Sequence, residues 1–243
     1  MTNKTPFVNH ALLVANIGIF IWMVFQGVNL MMPTPQDLLA YGANNWQTTM
    51  QQEEYWRLFT CTFIHVGVIH LLFNMQALRV GGELAEQFFG HILYLLIYLM
   101  SGIFASLTSL AWNPGNVVSA GASGAIFGII GAQLGFVIRR IRELNWGAAS
   151  SLLMSYLMFI GVSLFFGFSV AGIDNAAHLG GLCMGLLLGL VLAPKPANSK
   201  RVGSAAVLIM KVVFACILFL LLTLGLSSVA PRQLTPIVSL YSP

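Results

Sequence analysis

Residues 121–140 read GASGAIFGIIGAQLGFVIRR, an apolar stretch that opens with glycine and serine and ends in two arginines. Residues 121–138 carry no charge, and about 20 such residues let a helix cross the hydrocarbon core of a bilayer. A charged pair directly after an apolar stretch is typical of the cytoplasmic end of a spanning helix. The stretch therefore predicts a transmembrane helix at 121–138.

The whole chain has the composition of a membrane protein. Hydrophobic residues make up 58% of its 243 residues and charged residues only 7%, whereas a soluble domain carries roughly a quarter charged residues. So few charges cannot cover a core in water, and we expect the lipid bilayer as the solvent. The net charge of +4 does not indicate nucleic acid as a partner, because the basic residues form short clusters between apolar runs.

Seven apolar segments have about the length of a transmembrane helix. They cover residues 10–32, 63–86, 91–112, 121–138, 147–168, 175–193 and 206–230. The first is too long for the core of a signal peptide, so we predict a retained helix. The sequence thus predicts an all-α, multi-pass helix bundle, with six helices in residues 1–194 and a linker and seventh helix in residues 195–243.

The loops predict the orientation of the bundle. Lysine and arginine lie on one side, at Lys4, Arg139, Arg140, Arg142, Lys195, Lys200 and Arg201. The loops 113–120 and 169–174 carry neither, and only Arg57 and Arg232 fall on the opposite side. The positive-inside rule therefore predicts a cytoplasmic N-terminus and an outer C-terminus. The low charge of the loops fits a bacterial inner membrane.

The predicted first loop, residues 31–64, is long and mixes polar residues with large apolar ones, among them Trp46, Tyr55 and Trp56. Aromatic residues are typical of the headgroup level of a membrane, so we predict a segment that lies in the interface. A disordered loop is the alternative.

Three cysteines, Cys61, Cys183 and Cys216, lie in or beside apolar runs and form no CxxC pair. An odd, scattered set argues against a disulfide framework or a zinc site. We expect packing residues, with no metal and no cofactor.

Four of the polar residues inside predicted spans stand out, and polar side chains there are costly and are functional candidates by default. His70 and Asn74 belong to the second span, Ser123 opens the fourth and His178 lies in the sixth. Ser123, His178 and His70 each precede the charged residue at the cytoplasmic end of their helix by 16 or 17 residues, or roughly 24–26 Å. The three residues therefore reach one level in the outer half of the bilayer, with Asn74 one turn deeper than His70.

Small residues repeat every four positions in the fourth and sixth spans. The two ridges are Gly124, Gly128 and Ala132, and Gly181, Gly185 and Gly189. Such ridges let two helices approach closely in lipid, although a ridge of this kind often serves packing alone. If these two helices pack together, Ser123 and His178 come within hydrogen-bond reach.

These residue types fit acyl transfer. A serine hydroxyl becomes a nucleophile when a base takes its proton, and neutral imidazole does so near pH 7. We therefore interpret Ser123 as a nucleophile and His178 as its base. The amide of Asn74, the ring of His70 and the backbone N–H of Ser123 at a helix start are candidate oxyanion donors. Singly, a membrane serine usually bonds its own helix, and a membrane histidine can relay protons.

Two residues are candidates to support His178. Asp174 lies one turn earlier on the same face, where it either touches the imidazole or serves as a helix cap or solvated loop charge. Phe127 lies one turn after Ser123, where it either packs on the imidazole or makes an ordinary core or lipid contact.

Several motifs resemble the rhomboid intramembrane serine proteases. They are Gly121-Ala122-Ser123-Gly124, His70 with Asn74, Ala177-His178 followed by Gly181 and Gly185, Trp56-Arg57, and Gly82 with Glu86. The resemblance runs from about Asn9 to Pro194 and is specific as a set, although GxSG alone is weak.

The resemblance implies a six-helix core whose Ser123–His178 dyad lies in a water-filled cavity open to the outside. It implies Asn74 and His70 as oxyanion partners. It also implies cleavage of transmembrane segments of other membrane proteins near their outer ends, with entry past the fifth helix and the first loop. A seventh helix occurs in the family.

Other enzyme classes fit less well. There is no HExxH motif for a metalloprotease, Asp37 and Asp174 are not set as in aspartyl intramembrane proteases, and Ala125 interrupts the GxSxG elbow of α/β-hydrolases. The main alternative is a non-catalytic rhomboid-like protein that binds membrane clients, but such proteins typically lack the serine or the histidine. A transporter is a further alternative, but its sequence would carry more charge pairs inside the membrane or broken helices at the midplane than this one does.

Overall fold

The computed structural model describes residues 5–113, 115, 117–170, 172–194 and 205–229. In these residues the regular structure is helical, with one isolated antiparallel bridge between Asn44 and Ser119. The predicted all-α class is therefore confirmed for the described part. The linker 195–204 and the tail after 229 lie outside it, as do the charges used for orientation at Lys4, Lys195, Lys200, Arg201 and Arg232.

Seven long helices lie in the described part of the chain. They are α1 (Phe7–Phe25), α2 (Val68–Phe89), α3 (His91–Trp112), α4 (Ser123–Arg140), α5 (Trp146–Ser169), α6 (Asn175–Leu192) and α7 (Ala205–Val229). Four described helices, α1, α3, α5 and α6, are long and apolar enough to cross a membrane. A fifth span results if the segment Arg57–Phe63 and α2, bent by 93°, form one broken span. The chain is thus an integral membrane protein, and seven spans stay a prediction.

The predicted first segment, 10–32, is wrong at its C-terminal end, because α1 ends at Phe25. Gly27 follows with a φ of +95°, a left-handed conformation that glycine adopts at little cost and that commonly ends helices. The N–H of Gly27 donates to the carbonyl oxygen of Val24, and that of Val28 donates to Met23. The chain therefore leaves the helix several residues before the apolar run stops.

Helices α4 and α6 approach each other backbone to backbone. The facing pairs are Gly124 with Gly181, Gly128 with Gly185, and Ala132 with Gly189. A β-carbon on any of the three α6 glycines would overlap the carbonyl oxygen of its partner in α4. The predicted ridges are therefore confirmed as the contact surface of the two helices, and only glycine on α6 allows this separation.

Helices α3 and α7 pack around the α4–α6 pair. The α3 residues Ser101, Ala105 and Thr108 lie against glycines of α4 and α6. Ala215 of α7 is buried in a cluster with residues of α3 and α6. Lys211 of α7 donates to the carbonyl oxygen of Ala193 at 3.1 Å, just past the C-terminus of α6, where a cation is favourable.

Glu86 explains the charge near the end of α2. Its buried carboxylate accepts from the backbone N–H groups of Val8 at 3.0 Å and Asn9 at 2.8 Å in the first turn of α1, where a negative charge is stabilising. It also pairs with His91 at the start of α3. One buried carboxylate therefore joins the ends of three helices.

The first loop is folded, so a disordered loop is wrong for these residues. It contains short helical segments at Pro35–Ala40, Gln47–Gln51, Arg57–Thr60 and Cys61–Phe63. Arg57 is buried and donates to the carbonyl oxygens of Leu39 at 2.6 Å and Ala43 at 3.0 Å. This arginine serves the loop itself, which accounts for a basic residue on the side predicted to be poor in them.

Substitution of Gly185 by alanine should lower the stability of the bundle, because the new β-carbon overlaps the backbone of Gly128. Overpacking of this kind usually costs about 1–3 kcal/mol. The matched control is Gly161→Ala in α5, where a β-carbon meets nothing within 4 Å and should be neutral or stabilising by up to about 1 kcal/mol. Thermal unfolding in detergent measures both, and equal effects would contradict the close approach of α4 and α6.

Candidate active site

Ser123 is the first residue of α4. The carbonyl oxygen of Ala122 already accepts from Ile126, so the helix begins at this point. The first backbone N–H groups of a helix have no partner within it and carry its positive dipole end. The Ser123 hydroxyl therefore stands at a site that favours negative charge.

His178 lies opposite Ser123, one turn into α6. Its Nε2 is 3.0 Å from Oγ of Ser123, although the two residues are 55 positions apart in sequence. His178 is buried, with 8% of the residue exposed. The contact joins α4 and α6 directly above the facing glycines Gly124 and Gly181, so the close helix packing brings the two side chains together.

The phenyl ring of Phe127 orients the imidazole of His178. Phe127 stacks on it with centroids 4.3 Å apart and planes 9° from parallel. Nδ1 of His178 is buried and has no hydrogen-bond partner among the described residues. For Nε2 to accept the serine proton, Nδ1 must carry the ring hydrogen. The stack restricts rotation of the ring and leaves the tautomer unfixed.

Asp174 caps α6 and does not bond to the imidazole. Its carboxylate accepts from the backbone N–H of Ala177 at 3.0 Å and from the amide of Asn113 at 3.3 Å, and it also bonds to the hydroxyl of Ser109. Of the two candidates for supporting His178, the ring of Phe127 therefore makes the contact. Asp174 ties the start of α6 to α3.

His70 lies beside the turn that leads into Ser123. Its Nδ1 accepts from the backbone N–H of Val66 at 3.3 Å, so in the neutral ring Nε2 carries the hydrogen. Gly121 has a φ of +133°, and a β-carbon there would lie 2.6 Å from Cε1 of His70. The ring thus fills the space that a side chain at position 121 would need.

Asn74 is buried one turn deeper in α2. Its amide nitrogen donates to the carbonyl oxygen of His70 at 2.9 Å. An amide group carries two N–H bonds, so this contact occupies one of the two. The structure brings Ser123 and His178 together directly, whereas in α2 His70 lies beside Gly121 and Asn74 lies one turn deeper.

Two buried polar residues outside the predicted site, Asn44 and His65, contact the segment that leads into Ser123. Asn44 in the first loop exchanges two backbone hydrogen bonds with Ser119, at 2.9 and 2.8 Å. His65 is fully buried, and its Nε2 lies 3.5 Å from the backbone N of Ala122. From the sequence, His65 was considered only as a metal ligand, and the absence of an HExxH motif excluded that role. The feature of the sequence that could have drawn attention to His65 is its position five residues before His70.

The arrangement can perform nucleophilic acyl transfer. It has a hydroxyl with a base in contact, a helix N-terminus at the nucleophile and polar donors on a neighbouring helix. Within the described residues, no three histidine, cysteine or acidic side chains are grouped to hold a metal. Cys61 and Cys183 are free thiols, and the side chain of Cys216 lies outside the described part.

Comparison with known proteins points to one family. A family model described as Rhomboid domain matches residues 52–195. RHOMBOID-like protein 7 of Arabidopsis thaliana is 34% identical over 197 residues, which cover 80% of this chain and 61% of the plant protein. RHOMBOID-like protein 2 of the same plant is 31% identical over 226 residues, covering 80% and 69%.

A bacterial relative carries an activity in its name. Rhomboid protease GluP of Bacillus subtilis (strain 168) is 40% identical over 176 residues, which cover 72% of this chain and 33% of the bacterial protein. The chain therefore spans about a third of this relative and less than two thirds of RHOMBOID-like protein 7. Since these relatives include plant and bacterial proteins, a bacterial inner membrane stays a prediction.

Substitution of Asp174 by asparagine should change the reactivity of Ser123 by less than about threefold, because asparagine caps helices as well as aspartate does. An aspartate that orients a catalytic histidine behaves differently, since its replacement by asparagine lowers activity by about 10⁴. The rate of Ser123 labelling by a fluorophosphonate distinguishes the two roles. Asp174→Ala is the companion variant and should lower stability by about 1 kcal/mol.

Proposed function

This chain belongs to the rhomboid family, and on that premise we propose that it is an intramembrane serine endopeptidase with Ser123 as nucleophile and His178 as base. The observation that carries the proposal is the 3.0 Å separation of Ser123 Oγ and His178 Nε2. Both residues would be costly in lipid without a function.

The proposed reaction has two halves. In the first, Oγ of Ser123 attacks the carbonyl carbon of a peptide bond while His178 Nε2 takes the hydroxyl proton. The C–N bond then breaks, the imidazolium gives this proton to the leaving amine, and an ester joins Ser123 to the substrate. In the second, a water molecule gives a proton to His178 as its oxygen attacks the ester carbonyl. The imidazolium then gives this proton to Oγ of Ser123 as the ester C–O bond breaks, which releases the acid and restores the serine hydroxyl.

Three donors support the oxyanion in this proposal. The backbone N–H of Ser123 is one, since it lies at the start of α4. The second amide N–H of Asn74 and the Nε2–H of His70 are the others, both from α2. Donors that are already in place need no rearrangement as charge develops, and each contributes much to the rate.

The proposed substrates are transmembrane segments of other membrane proteins. Small or helix-breaking residues near the outer end of such a segment let its backbone unwind, which exposes a peptide bond to Ser123. The depth of Ser123 in its helix, roughly 24 Å above Arg139, supports cleavage in the outer half of the bilayer. The water needed for the second half then enters from the outer side.

We further propose the domain layout that goes with this activity. Residues 1–194 form a six-helix catalytic core and residues 195–243 add a linker and a seventh helix, with a cytoplasmic N-terminus. The match to the family model covers residues 52–195 and supports the C-terminal boundary of this core.

Ser123→Ala and His178→Ala should each abolish cleavage of a model transmembrane substrate that carries small residues near its outer end. Removal of either member of such a pair disables acyl transfer, usually by several powers of ten. Cleavage by the purified protein in detergent or liposomes measures this, with thermal unfolding as the check that both variants fold. If both variants cut as fast as the wild type, the activity lies elsewhere. A wild type that binds membrane clients but neither cuts nor reacts with a fluorophosphonate is a non-catalytic protein.

Asn74→Ala should slow cleavage by about 10²–10³-fold, the usual effect of losing one oxyanion donor. The matched control is Asn16→Ala in α1. Asn16 is also buried, and its amide donates to the carbonyl oxygen of Leu12 at 2.8 Å, just as Asn74 donates to His70. Equal loss of cleavage in the two variants would assign Asn74 a structural role only.

A further inference from the structure

The turn that joins α4 to α5 carries an excess of positive charge. Residues 139–143 read RRIRE, three arginines and one glutamate. No other residue of the stretch 121–173, which contains α4, the turn and α5, carries a charge at neutral pH. The turn therefore has a net charge of +2, three positive charges against one negative.

Arg140 uses the only carboxylate of the turn. One of its terminal nitrogens, Nη1, donates to both oxygens of Glu143, at 2.9 and 2.8 Å. The other, Nη2, donates to the carbonyl oxygen of Pro194 just past the end of α6. Only 11% of the Arg140 side chain is exposed. This arginine therefore serves the packing of α4 against α6, and its charge is neutralised within the turn.

Arg139 and Arg142 are left without a counter-charge. Both are exposed, and neither makes an ion pair or a side-chain hydrogen bond with another described residue. The backbone of Ile141 between them is α-helical, so the two side chains lie three positions apart on one side of a helical turn. Like charges at this spacing repel each other, and a negative group bound between them would remove the repulsion.

The position of this arginine pair along the bundle indicates which anions can reach it. Arg139 lies 16 residues after Ser123, or roughly 24 Å along α4. The hydrocarbon core of a bilayer is about 30 Å thick, so the pair lies near the headgroups of the leaflet opposite to the Ser123 side. Trp146, which is 67% exposed, begins α5 at the same end, and tryptophan is enriched at the headgroup level.

We propose that Arg139 and Arg142 bind the phosphate of an anionic phospholipid whose acyl chains lie along the exposed face of α5. Guanidinium groups match the geometry of phosphate oxygens and bind them by two parallel hydrogen bonds. Helix α5 offers an apolar surface beside the pair, because it is the least buried of the four apolar spans in the described chain. The surface lies far from Ser123, and the proposal does not depend on the protease function.

Arg79 in α2 provides a matched comparison. It is also exposed, and it is the only lysine or arginine in residues 58–138. It lies at the same end of the bundle, because its carbonyl oxygen accepts from the side chain of Asn9 in the first turn of α1 at 3.4 Å. A single arginine attracts anionic lipid by its charge alone, whereas a pair can hold one phosphate between two guanidinium groups.

Native mass spectrometry of the purified protein in detergent measures the lipids that it retains. The probes are dioleoylphosphatidylglycerol and dioleoylphosphatidylcholine, which have the same acyl chains and differ in net charge. The wild type should retain the phosphatidylglycerol in preference. Arg139→Gln and Arg142→Gln should each lower the affinity for it by about fivefold, the usual contribution of one basic residue at an anionic membrane surface. Retention of the phosphatidylcholine should not change.

Arg79→Gln is the control, since it removes the same charge at the same end of the bundle. It should leave the affinity for phosphatidylglycerol at the wild-type value. If it lowers this affinity as much as Arg139→Gln and Arg142→Gln do, general attraction between basic residues and anionic lipid explains the binding and the site is wrong. Thermal unfolding checks that all three variants fold, as substitutions of exposed side chains should allow.

Two further outcomes would overturn the proposal. The first is an unchanged affinity for phosphatidylglycerol in both Arg139→Gln and Arg142→Gln. The second is displacement of the lipid by an equal concentration of glycerol 3-phosphate, which carries a phosphate and no acyl chains. That result would show that the pair binds soluble phosphates and that α5 contributes nothing to the affinity.

Discussion

The close approach of α4 and α6 is the constraint on which the rest of the structure depends. Each glycine of the α6 ridge faces a backbone carbonyl oxygen of α4, with no room for a β-carbon between them. Two helices held at this distance present the residues just above the contact to each other. Ser123 and His178 are those residues, and their 3.0 Å separation follows from the backbone packing more than from any network around them.

Several buried polar side chains of this bundle join separate parts of the chain. Glu86 binds the start of α1, Arg57 binds carbonyl groups of the first loop, Asp174 ties α6 to α3, and Gln133 links α2, α4 and α5. In lipid an unpaired polar group is costly, so each of these residues fixes its neighbours more strictly than an apolar contact would. The site is built from α4 and α6 with His70 of α2 beside them, whereas α5 is the least buried of the four apolar spans in the described chain.

The sequence predicted the helices and the pairing of Ser123 with His178, because both depend on one-dimensional patterns. The length of an apolar run predicts a membrane span, and small residues at every fourth position predict its contact face. The distance of a residue from the charge at the cytoplasmic end of its helix predicts its depth in the bilayer. It left the support of His178 open, because Asp174 and Phe127 both have the right spacing. The structure favours Phe127, because the carboxylate of Asp174 accepts from the backbone N–H of Ala177 and caps α6.

Other features could not be read from those patterns. The first loop has no periodicity, and its form depends on Arg57 reaching carbonyl groups up to 18 residues away. The roles of Gln133 and His65 arise from tertiary contacts with Gly81 and Ala122. The end of α1 was missed because the left-handed Gly27 stops the helix inside an apolar run.

The most direct test of the central claim is to treat the protein with a fluorophosphonate and to locate the adduct by mass spectrometry. This account predicts one adduct, on Ser123, that is lost in His178→Ala, whereas an adduct on another serine, or an equal yield on Ser123 without the imidazole, would contradict it.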